Sequence, residues 1–500
     1  MTSPHESPHE NNDVRAFIDG QWVDGPETRP NVNPADTRQV VGVSAHCGRK
    51  EAQAAIEAAG RALPAWRGTP APARGALLFE ATRLMRERAE RIALAMTLEE
   101  GKTIHESRGE VQKSIRVLEF MAGEGRRSTG AVIPSEMPRT FAYHVRQPLG
   151  VVSCISPWNF PVAIPTWKIA PALVAGNTVI FKPASLTPLT GRLVTECFVD
   201  AGLPPGVLNF VPGGGGTVGD ELVTNPRVRA VSFTGSNEIG MQLARQATDG
   251  HKKCQCEMGG KNAIVVLDDA DLDLAVDAAL QGAFGSTGQR CTATSRVIVV
   301  RALYDAFVER CAEGAKKIRI GNGLAPGVTM GPSVDASQHA TVTEYLGVAH
   351  ADGARLVAGG HQPTDGEFEH GFFTEPTVFA DCHMGMRITQ EEVFGPILSI
   401  VPVDGFESAL AAANAVRYGL AASVYTRDLV LAQRFTDAID VGIVHINNPT
   451  VGGEAQLPFG GMKDTGIGQR EQGSFGVDFF TEIKTVYVDY TATARRTNVY

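Results

Sequence analysis

Long runs of like charge and long apolar runs are both missing from this 500-residue chain. No Lys/Arg-rich run is present and the formal net charge is -9, which argues against nucleic acid as a partner. No apolar run reaches the length of a membrane span, so we expect no contact with a membrane. Internal repeats and linker-like segments of low complexity are also missing, which excludes a repeat array.

Cysteine is sparse. The eight cysteines have no framework spacing, so we expect no disulfides. Cys254 and Cys256 form a pair, but no second pair or histidine cluster lies near them in the sequence. A spacing of two places both thiols on one face of a strand, where buried structural thiols are favoured over half of a metal site. The sequence therefore predicts no metal centre.

The composition is that of a large soluble protein. With 43% hydrophobic and 20% charged residues the chain can bury a core, and 500 residues exceed what one core usually holds. We therefore expect two or three domains. Residues 1–12 are polar and lack the apolar core of a signal peptide, which predicts a disordered tail on a cytoplasmic protein.

The N-terminal part is typical of a hairpin followed by helices. Phe17–Val23 alternates around an Asp-Gly turn, which predicts a small hairpin. Apolar spacing near 3.6 residues predicts long helices over 49–65, 72–101 and 104–124.

After residue 150, short apolar strands alternate with helices. The strands are expected at 151–155, 178–182, 207–211 and 230–233. This alternation predicts a parallel sheet covered by helices. A second alternating block is assigned to a separate domain, with strands from 263 and at 296–300, 397–401 and 442–446.

Three separated segments carry groups that suit acyl chemistry. One thiol lies among small residues in 285–292, and Arg290 directly before Cys291 is expected to favour the nucleophilic thiolate. Glu257 precedes a glycine turn, and Asn159 lies in a loop bracketed by prolines. A thiol, a carboxylate and an amide donor are the groups that chemistry through a thioester requires.

Each group also has a plain structural alternative. A cysteine between small residues is more often buried and inert, and Glu257 could cap the turn at Gly259. Asn159 could be an ordinary turn residue, because Asn is common in loops. The individual residues leave these alternatives open.

Seven motifs in combination resemble the aldehyde dehydrogenase superfamily over about residues 17–489. They are Pro157-Trp-Asn-Phe-Pro161, Phe181-Lys-Pro-Ala184, Phe233-Thr-Gly-Ser236, Glu257-Met-Gly-Gly-Lys261, Gly288-Gln-Arg-Cys291, Glu392-Val-Phe-Gly-Pro396 and Pro458-Phe-Gly-Gly461. The resemblance implies NAD(P)-dependent oxidation of an aldehyde to a carboxylate.

The resemblance also implies roles for single residues. Cys291 would attack the aldehyde, Asn159 and the Cys291 backbone N–H would hold the oxyanion, and Glu257 would activate water. Lys168 and Glu471 match positions of a proton relay, although one inserted residue near Glu471 leaves the second match open.

The coenzyme residues come from the same resemblance. The turn at Gly235, Ser236 and Gly240 would carry the pyrophosphate, since a strand, a glycine turn and a helix follow one another there. Without the resemblance, this turn could equally be a plain strand-to-helix turn with a serine cap. Glu392 would hold the nicotinamide ribose, Phe394 would pack by the nicotinamide, and Trp158 is a further expected coenzyme contact.

Lys182 and Ser185 bear on the choice of coenzyme. Lys182 matches a ribose ligand, and Ser185 occupies the position where many NAD-preferring relatives have a glutamate. A glutamate would repel the 2′-phosphate of NADP, whereas a hydroxyl beside a lysine is compatible with that phosphate. NADP is therefore favoured over NAD, or both are used.

The substrate is open between several aldehydes. Trp167 stands where succinate-semialdehyde enzymes have an arginine that grips the substrate carboxylate, and Phe459 is a second candidate substrate contact. The neighbouring sequence is most similar to the 2-oxoglutarate semialdehyde (2,5-dioxopentanoate) branch. Aliphatic or aromatic aldehydes and succinate semialdehyde are the alternatives. A coenzyme A-acylating enzyme, which usually lacks the base at Glu257, and a non-catalytic relative are less favoured.

Together these patterns predict an α/β fold with a Rossmann-like coenzyme domain, an α/β catalytic domain and a small β ribbon. The coenzyme domain is expected at 13–128 and 149–256, and the catalytic domain at 257–470. The segments 129–148 and 471–500 are expected to mediate assembly. Their strands, Thr140–Gln147 and Ile483–Asp489, have the pattern of unpaired edges, which predicts a homodimer or homotetramer and allows them to pair with each other.

Overall fold

The computed structural model describes residues 12–128 and 130–493, so the tail expected at 1–12 lies outside the described residues except for Asn12. The first elements are β1 (Ala16–Ile18), β2 (Gln21–Val23), β3 (Glu27–Asn33), β4 (Asp36–His46), α1 (Arg49–Gly68), α2 (Ala71–Glu87), α3 (Ala89–Glu100) and α4 (Ile104–Glu124). The predicted hairpin is present as β1 and β2, which turn at Asp19 and Gly20 with positive φ at both. A second hairpin, β3 with β4, was not predicted.

The helix predicted over 72–101 is two helices, α2 and α3. The chain leaves helical geometry at Arg88, where φ is -96 and ψ is 7. The Arg88 guanidinium forms an ion pair with Asp200 (2.7 Å), so the break is tied to a neighbouring segment. An apolar period continuing across residue 88 could not show this change of direction.

The next elements form a helix-covered parallel sheet. They are β5 (Ala131–Ile133), β6 (Thr140–Pro148), β7 (Val151–Ile155), α5 (Ala163–Ala175), β8 (Thr178–Lys182), α6 (Pro188–Asp200), β9 (Leu208–Phe210), α7 (Asp220–Thr224), β10 (Val228–Thr234), α8 (Asn237–Asp249) and β11 (Lys253–Glu257). Strands β9, β8, β7, β10 and β11 are parallel neighbours in this order. The predicted Rossmann-like sheet is confirmed, and its carboxyl edge is where ligands bind in such folds.

A second sheet of seven strands follows. Its part of the chain contains β12 (Asn262–Val266), α9 (Leu272–Phe284), β13 (Thr294–Val300), α10 (Arg301–Lys316), α11 (Ala336–Ala351), β14 (Arg355–Ala358), β15 (Thr377–Ala380), α12 (Arg387–Gln390), β16 (Ile397–Val403), α13 (Phe406–Asn414), β17 (Tyr418–Gly419), β18 (Ala421–Tyr425), α14 (Leu429–Ala438) and β19 (Ile443–Ile446). All neighbours in this sheet are parallel except β14, which is antiparallel to β15. Buried Val, Ile and Ala side chains fill both of its faces.

The chain returns to the first sheet at its end. The last elements are β20 (Met462–Lys463), β21 (Gly466–Ile467), α15 (Phe475–Phe479) and β22 (Thr481–Asp489). Strand β21 pairs with β11, so the boundary expected at residue 470 is crossed by one short edge strand. The domain limits otherwise stay a prediction.

The ribbon strand β6 is not an unpaired edge, which corrects the prediction for Thr140–Gln147. It lies between β22 and β5 in a three-stranded sheet. Strand β22 pairs with β6 along all nine residues, and β5 pairs with its other edge. The predicted pairing of the two segments is thus confirmed. Exposed apolar side chains remain on the outer strands, among them Val132 and Ile483. Assembly through these outer edges stays a prediction, and light scattering at micromolar concentration measures it.

In the part of the chain that the structure describes, no helix is both long and apolar enough to cross a membrane. The cytoplasmic location stays a prediction.

Candidate active site

The loop that carries the thiol begins where α9 ends. Ser286 and Thr287 adopt positive φ, and Gly288 follows at φ +69. A Cβ at Gly288 would lie 2.2 Å from the Gly395 carbonyl oxygen, so only glycine fits. Asn262 Nδ2 donates to the Cys291 carbonyl at 2.8 Å, which fixes the far side of the loop.

The surroundings of Cys291 favour the neutral form of its thiol. Burial raises the pKa of Cys291 to about 12, and the Glu392 and Glu257 carboxylates act in the same direction. The prediction that Arg290 favours the thiolate is wrong. Its guanidinium donates to Ser286 Oγ (2.9 and 3.1 Å) and pairs with Glu106 (3.3 Å) instead. A base therefore has to take the thiol proton during attack.

The amide of Asn159 lies against the thiol loop. Its Nδ2 donates to the Gln289 carbonyl oxygen at 3.0 Å, two residues before Cys291. An amide has two N–H donors, so one is still free for a ligand oxygen. The Cys291 backbone N–H has no hydrogen-bond acceptor among the described residues. Two donors near the thiol are thus available to an oxyanion.

Glu257 ends β11 and is buried. Burial raises the pKa of Glu257 well above its usual value, and the Glu471 charge adds to this, whereas Arg470, Lys168 and the Gly461 N–H act in the opposite direction. The Gly461 N–H donates to Glu257 Oε2 at 3.3 Å, so the carboxyl group points towards Gly461. A raised pKa is what the apolar setting predicts for a general base.

Lys168 and Glu471 form a buried ion pair behind Glu257. The Lys168 ammonium also donates to Ser232 Oγ at 2.9 Å. The sequence could not align Glu471 because of the inserted residue, but the contact brings it to Lys168. The second carboxylate oxygen, Oε2, is buried without a partner among the described residues.

A cavity of about 660 Å³ opens onto Cys291. Trp167 and Phe459 line it, with ring centroids 5.5 Å apart, so both predicted substrate contacts lie beside the thiol. Helix α4 also lines the cavity, through Glu106, Glu110 and Lys113. The cavity suits a small aldehyde with an apolar stretch.

A second cavity, of about 620 Å³, lies at the carboxyl edge of the parallel sheet. Trp158, Lys182, Gly235 and Ser236 line it, and Ser236 Oγ also caps α8 by accepting the Ile239 N–H (3.5 Å). No residue lines both this cavity and the thiol cavity. A helix N-terminus at a sheet edge fits a pyrophosphate.

Gly240 does not line the coenzyme cavity. A Cβ there would lie 2.4 Å from the Met258 sulfur, so the glycine allows α8 to pack closely on the end of β11. By contrast, a Cβ at Gly215 or Gly216 would meet nothing within 4 Å, and both line the cavity. The predicted pyrophosphate turn is thus split between a packing glycine and cavity residues.

Lys182 is a buried cation without a carboxylate partner among the described residues. Its ammonium donates to the Pro183 carbonyl at 3.1 Å, and burial lowers the pKa of Lys182 to about 8. Such a cation fits a ligand hydroxyl or phosphate. Ser185 lies next to this cavity rather than in its wall and donates to the Gly213 carbonyl at 3.3 Å.

Glu392 and Phe394 lie between the two sheets. Glu392 accepts the Gly260 N–H at 2.9 Å, and burial raises the pKa of Glu392 to about 7. Phe394 has φ +57 and meets the Trp158 ring edge-on at 5.4 Å. Gln338 Nε2 donates to the Phe394 carbonyl oxygen at 3.0 Å, which helps to hold this positive-φ backbone.

Two residues that support the site were missed in the sequence, Lys102 between α3 and α4 and Glu110 on α4. Lys102 is buried and donates to Glu110 (2.9 Å) and to the Asn159 carbonyl (2.6 Å). Glu110 in turn accepts the Val162 and Ala163 N–H groups at 2.9 and 3.0 Å. These bonds fix the loop of Asn159. The α4 sequence carried no signal for this, because its pattern is that of an ordinary amphipathic helix.

Within residues 12–128 and 130–493, no group of His, Cys, Asp or Glu side chains is arranged to hold a metal ion. The Cys254 and Cys256 sulfurs are 3.6 Å apart on β11, as the spacing predicts.

Comparison with known proteins agrees with this geometry. Residues 22–486 match the model of the aldehyde dehydrogenase family. The chain is 44% identical to the alpha-ketoglutaric semialdehyde dehydrogenase of Bacillus subtilis, over 96% of this chain and 99% of the relative. It is 41% identical to the NADP(+) succinate-semialdehyde dehydrogenase of Escherichia coli, over 94% of this chain and 96% of the relative. The crystal structure of Staphylococcus aureus betaine aldehyde dehydrogenase with NAD+ superposes with a TM-score of 0.94 at 36% identity, covering 96% and 95%.

The chain belongs to the aldehyde dehydrogenase family. It is an oxidoreductase that oxidises aldehydes with NAD(P), as the resemblance implied.

Proposed function

We propose that Cys291 carries the aldehyde through covalent catalysis and that Glu257 releases the acid. The observation that carries this proposal is the contact of Asn159 with the thiol loop, Nδ2 to the Gln289 carbonyl at 3.0 Å. It brings an amide donor to the nucleophile from a distant part of the sequence. Family membership supports the same assignment.

Attack of the Cys291 sulfur on the aldehyde carbon forms a C–S bond and turns the carbonyl oxygen into an oxyanion, and the S–H proton passes to solvent water that acts as the base in the open cavity. The free N–H of Asn159 and the backbone N–H of Cys291 donate to this oxygen. One such donor is often worth about 3 kcal/mol in a transition state. A bound nicotinamide dinucleotide supplies the hydride acceptor, and Lys182, Ser236 and Glu392 are the residues that would hold it.

Once the carbon is oxidised, the acyl group is a thioester on Cys291. Glu257 takes a proton from water, whose oxygen attacks the thioester carbon and displaces the thiolate. The buried pair of Lys168 and Glu471 lies behind Glu257 and gives the proton a route away from the site. The products are a carboxylic acid and the regenerated thiol.

We further propose that the substrate is a semialdehyde with a terminal carboxylate, 2,5-dioxopentanoate in the first place. The names of the Bacillus and Escherichia relatives support this class. The test is kcat/KM for 2,5-dioxopentanoate, succinate semialdehyde and pentanal, followed by absorbance of reduced coenzyme. We expect the two acids to exceed pentanal by about tenfold or more. Equal values would identify a general aldehyde dehydrogenase instead.

For the coenzyme, we propose that NADP is used at least as well as NAD. Lys182 offers a cation and Ser185 adds no negative charge beside it. Like charges about 4 Å apart at an effective dielectric near 20 repel by roughly 4 kcal/mol before screening. Even about a quarter of this shifts preference several-fold.

The Ser185→Glu variant is therefore expected to turn the preference towards NAD by about fivefold or more. The measurement is kcat/KM for both coenzymes. Ser185→Ala is the control, because it removes the hydroxyl that bonds Gly213 without adding charge. Strong NAD preference in the wild type would show that Ser185 does not set the choice.

A further inference from the structure

One face of α4 forms a wall of the thiol cavity. Thr103 at its N-cap and Glu106, Glu110 and Lys113 along the helix all line the cavity, at the spacing that repeats on one helical face. Most of the charges on this face are paired inside the protein. Glu106 bonds Thr103 and Arg290, and Glu110 bonds Lys102.

Lys113 is different from its neighbours on this face. In the part of the chain that the structure describes, no carboxylate lies within ion-pair distance of its ammonium. Its contacts are aromatic, since Nζ lies 5.1 Å from the Trp167 ring centroid and 5.9 Å from that of Phe459. Aromatic faces attract a cation but compensate lost hydration only in part.

The charge balance of Lys113 agrees with this geometry. Burial lowers the pKa of the Lys113 ammonium, while the Cys291 thiol and the Glu110 carboxylate act in the opposite direction. A cation that is partly buried and incompletely paired gains from an anionic ligand. The ligand has to enter the cavity that also contains the nucleophile.

We propose that Lys113 binds the carboxylate at the far end of the aldehyde substrate and thereby determines specificity for acidic aldehydes. This inference rests on the proposed semialdehyde function. The aldehyde carbon is at Cys291, the carbon chain runs along Trp167 and Phe459, and the carboxylate accepts hydrogen bonds from the ammonium. The three groups are offered by one cavity of about 660 Å³.

One other cation, Arg290, lines the same cavity, and Lys113 has one further effect on the chemistry there. Arg290 donates from Nε and Nη2 to Ser286 Oγ and from Nη2 to Glu106, so its charge is already paired with a carboxylate, unlike that of Lys113. Lys113 itself lowers the pKa of Cys291. If Lys113 acted only on the thiol, it would raise kcat/KM for every aldehyde equally. If it binds a carboxylate, it raises kcat/KM only for aldehydes that carry a carboxylate. The ratio of two substrates separates these roles.

The experiment measures kcat/KM for 2,5-dioxopentanoate and for pentanal, an uncharged aldehyde of the same chain length. In the Lys113→Met variant we expect the ratio of the two values to fall by about 10- to 100-fold, the range of a lost charge-assisted hydrogen bond. Lys113→Arg should keep most of the ratio, because it keeps the charge. Arg116→Met, which removes an exposed cation from the same helix, should leave the ratio unchanged.

A binding measurement gives a second readout. Inhibition by 2-oxoglutarate, the acid product, is measured against pentanal oxidation, and its inhibition constant should rise at least about tenfold in Lys113→Met. If the methionine variant does not fold, Lys113→Gln replaces it in both measurements.

Three outcomes decide the matter. A lower ratio and weaker 2-oxoglutarate binding in the variant support the proposal. An unchanged ratio, with both substrates slowed together, overturns it and assigns Lys113 to the thiol. If the wild type itself does not prefer 2,5-dioxopentanoate over pentanal, the semialdehyde function fails, and the assignment of Lys113 fails with it.

Discussion

The Cys291→Ala variant is expected to lose aldehyde oxidation by about 10⁴-fold or more while it still binds coenzyme. Alanine cannot form the C–S bond, and a water in its place is a poor nucleophile towards an aldehyde. The coenzyme cavity is lined by other residues, so binding there is kept. Absorbance of reduced coenzyme measures turnover, and quenching of protein fluorescence measures coenzyme binding.

Cys254→Ala is the matched control, since it removes another partly exposed thiol that lies on β11. This control should keep wild-type turnover. Appreciable turnover by Cys291→Ala would remove Cys291 from the mechanism.

The Glu257→Gln variant is expected to form one equivalent of reduced coenzyme rapidly and then to stall. Glutamine nearly keeps the shape of glutamate but cannot take a proton from water, so the thioester accumulates on Cys291. Steady-state turnover should fall by about 10²- to 10⁴-fold. Stopped-flow absorbance resolves the burst, and intact-protein mass spectrometry detects the acyl enzyme. Glu124→Gln removes a buried carboxylate that pairs with Arg127 (2.7 Å), and serves as the control.

The pH dependence follows from the raised pKa of Glu257. The ionised carboxylate is the base, so activity is present above that pKa. As the pH falls through it, the carboxylate becomes protonated and the activity is lost. Wild-type turnover limited by hydrolysis should therefore rise with pH, and Glu257→Gln should lose this rise. If Glu257→Gln forms no burst of reduced coenzyme but binds coenzyme normally, Glu257 acts earlier, on the thiol proton. Unchanged turnover would make the carboxylate structural.

Much of the sheet architecture could be predicted, because buried parallel strands are short apolar runs between turn signals. The strands at 151–155 and 178–182 have the predicted bounds. The pairing of β6 with β22 was expected, but its second partner β5 was not, so the sequence did not show that β6 is the middle strand of three. Local alternation shows that a strand is present but not how many partners it has.

The candidate site was also predicted only in part from the sequence. The motifs identified Cys291, Asn159 and Glu257, but neighbouring positions in the sequence were misleading about charge. Arg290 adjoins the thiol in sequence and turns to Glu106, whereas Lys113 comes from a distant helix and lowers the pKa of the thiol. Side-chain direction depends on tertiary contacts, and these cannot be obtained from spacing alone.

The thiol cavity and the coenzyme cavity have no wall residue in common. In evolution, this lets a lineage exchange one aldehyde for another without disturbing the redox partner, and the reverse also holds. Substitutions along 103–113 change the wall of the thiol cavity, while a substitution at Lys182 changes the wall of the coenzyme cavity. In a family with this arrangement, the substrate cavity and the coenzyme cavity can each change through a few substitutions of their own lining residues.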